Sequence, residues 1–170
     1  AAWRAIAVGA MLLTVAFVAL IAMIDWPLGA LHGTWLGSQL EGLLGLQELS
    51  LIGILGVLFS PVAVFLGVDR GDVFVVGELL GTSMVATEFL AYIGLSDHIA
   101  EGTISHRSAV IVTYALCGFA NFPSIAIQIG GLTAIAPERR SDFARIGPRA
   151  MVGGALTCWM TGCIAILFVG

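Results

Sequence analysis

The chain contains no lysine, and only 11% of its 170 residues are charged, against roughly 25% in soluble domains. All seven basic residues are arginine and the formal net charge is −4. With no clustered basic surface, nucleic acid is excluded as a partner. Cysteine is scarce too. Cys117, Cys158 and Cys163 all fall inside apolar runs, which predicts small buried residues, not a disulfide framework or a zinc site. His32, His98 and His106 lie in or near polar connections without metal-ligand spacing and read as surface residues. No nucleophile elbow, phosphate-cradling glycine loop, His-Glu-x-x-His helix or paired-cysteine motif occurs. The pattern therefore offers no metal, no cofactor and no recognised enzyme chemistry. No charged n-region with a cleavage site precedes the first apolar run, so no signal peptide is read.

What remains is hydrophobic. Apolar residues make up 59% of the chain and the mean hydropathy is +1.03, which predicts an all-α integral membrane protein with lipid as its solvent. The 22 glycines suit membrane helices, where they permit close approach. Ala5 to Ile24 is a 20-residue uncharged run between Trp3-Arg4 and Asp25-Trp26, and at 1.5 Å per residue it crosses a hydrocarbon core of about 30 Å. The chain opens at Ala1 without Met, directly before this run, and is read as a piece lacking its N-terminal part.

Pro27 to Glu48 shows Leu36, Leu40, Leu43, Leu44 and Gln47 at helical spacing, with Ser38, Gln39 and Glu41 on another side. That predicts an amphipathic interfacial helix. Leu49 to Val68 is apolar around Pro61, either a kinked span or two shorter pieces. After the polar turn Asp69-Arg70-Gly71-Asp72, Val73 to Leu95 carries Glu78 and Glu88 with Gly81-Thr82-Ser83 between them. Two short helices meeting there predict a re-entrant helical hairpin, with Ser96 to Arg107 closing the unit. A continuous helix is the alternative.

Ser108 to Ala136 is uncharged and long enough to span, yet Gly118, Asn121 and Pro123 interrupt its centre. These are poor choices for an unbroken helix, so a discontinuous transmembrane helix is expected. Such breaks are tolerated where protein or a polar cavity satisfies the freed backbone, and they build substrate sites in secondary transporters. Pro137 to Arg149 holds four of the seven arginines, which places this loop in the cytoplasm. Ala150 to Gly170 is the last span. The division is 1–48, a spanning helix plus interfacial helix, and 49–170, the hairpin, broken helix and final span.

The chemistry-bearing residues cluster in the two interrupted segments. Glu88 has no arginine within a turn or two, and an unpaired carboxylate at membrane depth is a functional candidate. It can accept two hydrogen bonds from a vicinal diol or take up a proton. Glu78 lies nearer the polar turn and reads equally as a solvent-facing residue. Asn121 and Pro123 suit the start of the second half-helix; the helix start serves either as a plain cap or as a ligand site. Ser124 shares the face of Asn121, and Phe119 offers a ring before the break.

Taken in order, Thr87-Glu88-Phe89-Leu90-Ala91-Tyr92, Ser105 to Ser108, Thr113 to Asn121, Ser124 to Leu132 and Ala136 to Arg140 resemble the C-terminal half of the concentrative nucleoside transporters. The likeness is dense from Gly81 to Arg149 and looser elsewhere. It implies sodium- or proton-driven nucleoside symport in a plasma membrane (the inner membrane of a bacterium), by a homotrimer with scaffold and mobile transport domains. It also implies that Glu88, Asn121 and Ser124 bind ribose hydroxyls and that Phe119 contacts the nucleoside, with Thr87 a secondary candidate. Thr87 stands where the family usually has Asn, and Pro123 where many members have Ser. The first hairpin, which carries base contacts and cation ligands in the family, is absent, so no coupling-ion ligand can be named. A passive channel and an intramembrane enzyme using Glu88 are the competing readings.

Overall fold

A computed structural model describes residues 2–46 and 48–168. Its described residues form α-helices joined by short turns: α1 (Ala2–Leu31), α2 (Trp35–Leu44), α3 (Leu51–Phe65), α4 (Val73–Val85), α5 (Glu88–Glu101), α6 (His106–Ala115), α7 (Phe122–Ile135) and α8 (Arg140–Ala165). Helix α1 has 30 residues, about 45 Å at 1.5 Å each. It continues through Pro27 to Leu31, beyond the expected end at Ile24, so Pro27 belongs to the first helix. The amphipathic helix is correspondingly shorter. It begins at Thr34, whose side chain accepts from the Gly37 amide at 3.1 Å, and stops at Gly45 in the left-handed region, φ 69°, where glycine meets no Cβ penalty. Leu36 and Leu43 are exposed while Leu40 and Leu44 are half-buried. Gln47 lies outside the described residues.

Pro61 sits inside a continuous α3, which decides between a kink and a break. Proline removes one backbone donor, and the neighbouring Ser60 hydroxyl donates to the Gly56 carbonyl at 2.7 Å, supporting the helix locally. Ser50 and Asp25 tie down the start of α3. Ser50 Oγ accepts from Gly53 N at 3.0 Å, and Asp25 Oδ1 accepts from Leu51 N at 2.6 Å.

Helices α3 and α4 approach through small residues. A Cβ on Gly77 would strike the Gly56 carbonyl, and one on Gly56 would lie 2.6 Å from Glu78 Cγ. The Gly56-x-x-x-Ser60 and Gly77-x-x-x-Gly81 spacings are the small-residue pattern of close membrane crossings. The sequence reading missed this pairing. Around it lies the core, in which Ala63, Leu66, Val76, Leu80, Ile111 and Val112 are buried.

The α4–α5 unit is a helical hairpin, since a Cβ on Gly94 would touch Leu79 at 3.2 Å. Its apex differs from the expected one. Gly81-Thr82-Ser83 stays helical, because Gly81 packs on Leu55 and the Ser83 hydroxyl donates to Leu80 O at 2.8 Å. The chain turns instead at Ala86 and Thr87, and α5 runs on through Ser96 to Glu101. At the opposite end, the α3–α4 turn docks on the start of α6. Asp69 N donates to Ser108 Oγ at 3.0 Å and Ser105 N to Asp72 Oδ2 at 3.1 Å. Arg107 reaches Gly67 O at 2.9 Å and Asp69 Oδ1 at 3.2 Å.

The basic segment expected as a loop is helical. Pro137–Arg139 forms one tight turn and Arg140 begins α8, which carries Pro148 in its interior. Among the described residues, the stretch Pro137–Phe168 is both long and apolar enough to cross a membrane. The cysteines also depart from expectation. Cys117 and Cys163 are exposed and Cys158 is half-buried, because an apolar run in this chain borders its outer surface as often as its core.

Candidate functional site

Two helix starts meet at one point. Helix α6 ends at Ala115, and the chain passes through Leu116 to Ala120 before Asn121 caps α7. The break therefore falls where expected. Asn121 has extended backbone, φ −130° and ψ 165°, and its Oδ1 accepts from Ser124 N at 2.7 Å. Pro123 occupies the first turn of α7, where its missing N–H costs nothing. Gly118 lies in the break because a Cβ there would collide with Cys158 Sγ of α8.

The same Asn121 side chain faces the apex of the hairpin. Its Nδ2 donates to Glu88 Oε1 at 2.8 Å and Oε2 at 2.7 Å. Glu88 is 6% exposed and Asn121 is 2% exposed, so the pair is withdrawn from its surroundings. Glu88 opens α5, where the free N–H groups of a helix start favour a negative charge. Thr87 caps that helix, its hydroxyl accepting from Leu90 N at 3.4 Å. The cap reading of Asn121 holds, and its side chain is engaged at both ends: the carbonyl oxygen caps α7 and the amide nitrogen reaches Glu88. A carboxylate has about four lone-pair positions. Asn121 engages both oxygens, with one bond to each.

Ser124 is half-buried and lies beside Asn121 on the wall of a groove between α7 and α8. This cavity measures about 450 Å³, and Phe119, Asn121 and Ser124 are among its lining residues. Phe119 is 84% exposed and lines the groove just before the start of α7. Glu88 is not part of the wall; it sits behind Asn121. Glu78 is half-buried on α4 at the crossing with α3, about two turns from the apex, and does not join the cluster.

Sequence reasoning missed the contribution of α8. Phe143, Gly147, Met151 and Cys158 face the groove from α8, and Gln128 and Leu132 extend it along α7. A signal was available, since Asn121, Ser124 and Gln128 recur at helical spacing. The α8 wall had none, because no charged or amide side chain marks it. Among the described residues, no group of three or more His, Cys, Asp or Glu side chains could hold a metal.

A family profile described as "Na+ dependent nucleoside transporter C-terminus" matches residues 2–166. An uncharacterized transporter, YutK, of Bacillus subtilis is 44% identical over 165 residues, covering 97% of this chain and 38% of that protein. Sodium/nucleoside cotransporter 1 of Mus musculus is 40% identical over 169 residues, covering 91% of this chain and 25% of its own length. Among solved structures, CNTnw in an inward-facing substrate-bound state aligns with TM-score 0.78 at 43% identity, covering 99% of this chain and 39% of that one. The chain spans about two fifths of the YutK protein and of CNTnw.

Proposed function

The chain belongs to the Na+-dependent nucleoside transporter family, and we propose that it forms the sugar-gripping C-terminal part of a nucleoside symporter. The observation that carries this reading is the Asn121–Glu88 joint, where a broken helix and a hairpin apex meet through a buried amide–carboxylate pair. In this reading the hairpin apex parts from α7 far enough for a ribose diol to reach Glu88, which is buried behind Asn121 in this state, and the diol then donates to its carboxylate. Ser124 Oγ, on the groove side, offers a further partner, and Phe119 packs against the nucleoside.

In this reading the chain lies in a plasma membrane, the inner membrane where the cell is bacterial. Helix α4–α5 is a re-entrant hairpin, α6–α7 a discontinuous span and α2 an interfacial helix. Residues 1–48 serve as scaffold and 49–170 as half of the moving domain, which carries substrate across as a unit within a homotrimer. The coupling ion is Na+ or H+, with its ligands outside these residues; the Na+ dependence in the family's description and the likeness to a sodium/nucleoside cotransporter support Na+. An intramembrane enzyme is disfavoured because the hydrogen-bond partner of Glu88 is an amide, which cannot serve as acid or base.

In the full-length protein, Glu88→Gln lowers uridine uptake about tenfold or more, the scale of a charge-assisted hydrogen bond worth roughly 1.5–3 kcal/mol, while expression in the membrane is unchanged. Uptake at the unmodified level removes Glu88 from the site. Uptake that concentrates uridine and collapses with an ionophore separates a symporter from a passive channel.

A further inference from the structure

The groove between α7 and α8 does not end at Ser124. It continues past Ile125 and Gln128 to Leu132 and Phe143. Its side-chain amides and hydroxyls all come from α7: Asn121, Ser124 and Gln128, at successive intervals of three and four residues, point along one face. Gln128 is exposed and stands about 6 Å further along the helix than Ser124. The facing wall on α8 is apolar and partly stripped of side chain at Gly147, Ala150 and Gly154. A volume near 450 Å³ lies within the range of about 300–1,000 Å³ typical of small-molecule sites. The groove runs from the Asn121 end of α7 toward the arginine-rich segment Pro137 to Arg149, the end that the positive-inside tendency assigns to the cytoplasm.

We propose that this groove is a second station for the nucleoside on its way to the cytoplasmic side, and that Gln128 is the residue that holds it there. The proposal rests on the nucleoside reading of the Glu88–Asn121 site. The amide of Gln128 both donates and accepts, so it serves a ribose hydroxyl or a base edge as the diol leaves Glu88. The bare α8 wall accommodates the flat face of the base, with Phe119 at the near end and Phe143 at the far end. An apolar track with one amide holds a polar solute weakly, which suits a site that must also let go.

The test uses the full-length transporter in proteoliposomes, with radiolabelled uridine as probe. Gln128→Leu lowers turnover about three- to tenfold, the scale of one hydrogen bond, with KM within twofold because the gripping site is untouched. Gln128→Asn, which keeps the amide, recovers at least half of the turnover. Turnover of Gln128→Leu within twofold of the parent overturns the proposal, as does a KM that rises in step with the turnover loss. In a second measurement, Gln128→Cys in a cysteine-free background is labelled by a water-soluble methanethiosulfonate reagent, and saturating uridine slows the labelling at least threefold. Labelling that ignores uridine, or fails because another segment covers the groove, also overturns it. Glu88→Gln run alongside separates the two ideas. If Glu88 matters and Gln128 does not, only the second station falls; if Glu88→Gln is silent, the gripping site itself falls.

Discussion

The joint between Asn121 and Glu88 makes a prediction about stability as well as transport. Asn121→Ala removes two things at once. The first is the cap on α7, the bond from Ser124 N to Oδ1 at 2.7 Å, worth about 0.5–2 kcal/mol. The second is the pair of bonds to Glu88 at 2.8 and 2.7 Å. Counted as one bidentate contact to a charged acceptor, that pair adds about 1.5–3 kcal/mol. Asn121→Ala should therefore cost about 2–5 kcal/mol in total, towards the upper end because Glu88 is left buried without its donor. Asn121→Ser separates the contributions. A serine hydroxyl still caps the helix but cannot reach Glu88, so it should recover about 1 kcal/mol relative to alanine. A double-mutant cycle with Glu88→Ala, which removes the acceptor, isolates the pair and should give a coupling of about 1.5–3 kcal/mol. The assay is the unfolding free energy of the full-length protein in mixed micelles, followed by tryptophan fluorescence. A coupling below about 0.5 kcal/mol, the level expected of independent sites, refutes the argument that the two helix starts are pinned to each other.

Three further outcomes follow from other parts of the fold. Gly77→Ala drives a methyl into the Gly56 carbonyl and should destabilise by about 1–3 kcal/mol, whereas Gly42→Ala on α2 meets nothing within 4 Å and should be neutral or stabilising by roughly 0.5–1 kcal/mol; equal thermal shifts would contradict the packing of α3 on α4. Ser108 is fully buried and accepts from Asp69 N and from Ser105 Oγ, each at 3.0 Å, so Ser108→Ala should cost about 1–3 kcal/mol by chemical denaturation, and a loss under about 0.5 kcal/mol would show that the docked turn is not held there. His32 Nδ1 lies 2.9 Å from Glu41 Oε1, and that hydrogen bond, with the charge of Glu41, raises the histidine above its ordinary 6.5. The clasp is complete below pH 6.5 and is lost as pH rises through the raised folded value; an NMR titration of His32 that Glu41→Gln leaves unmoved would sink the assignment.

Local chemistry wrote the breaks legibly. Asn121 followed by Pro123 marks a helix start wherever the chain goes, since a side-chain acceptor and a missing donor both fit that position. The α4–α5 apex was harder, because Gly81-Thr82-Ser83 carries stronger turn signals than Ala86-Thr87. Packing decided it: Gly81 is small so that α3 can approach, as its contact with Leu55 shows. The arginine-rich segment was misread for a related reason. Its polarity suggested a loop, but arginine is a good helix former, and Pro148 did not prevent α8 from running through.

Composition and hydrophobic run lengths alone were enough to make this an all-helical chain for a lipid environment, and residue order alone placed the interruption at Asn121 and singled out Glu88. Both follow from short-range constraints, namely bilayer thickness and the hydrogen-bonding needs of helix ends. Which residues meet was settled only in three dimensions. Asn121 lies 33 positions from Glu88, and no local preference specifies a contact at that separation. It arises because the crossing of α3 with α4 and the packing of Gly118 on Cys158 bring one helix start against another. The same packing leaves Ser124 and Gln128 facing an apolar wall on α8.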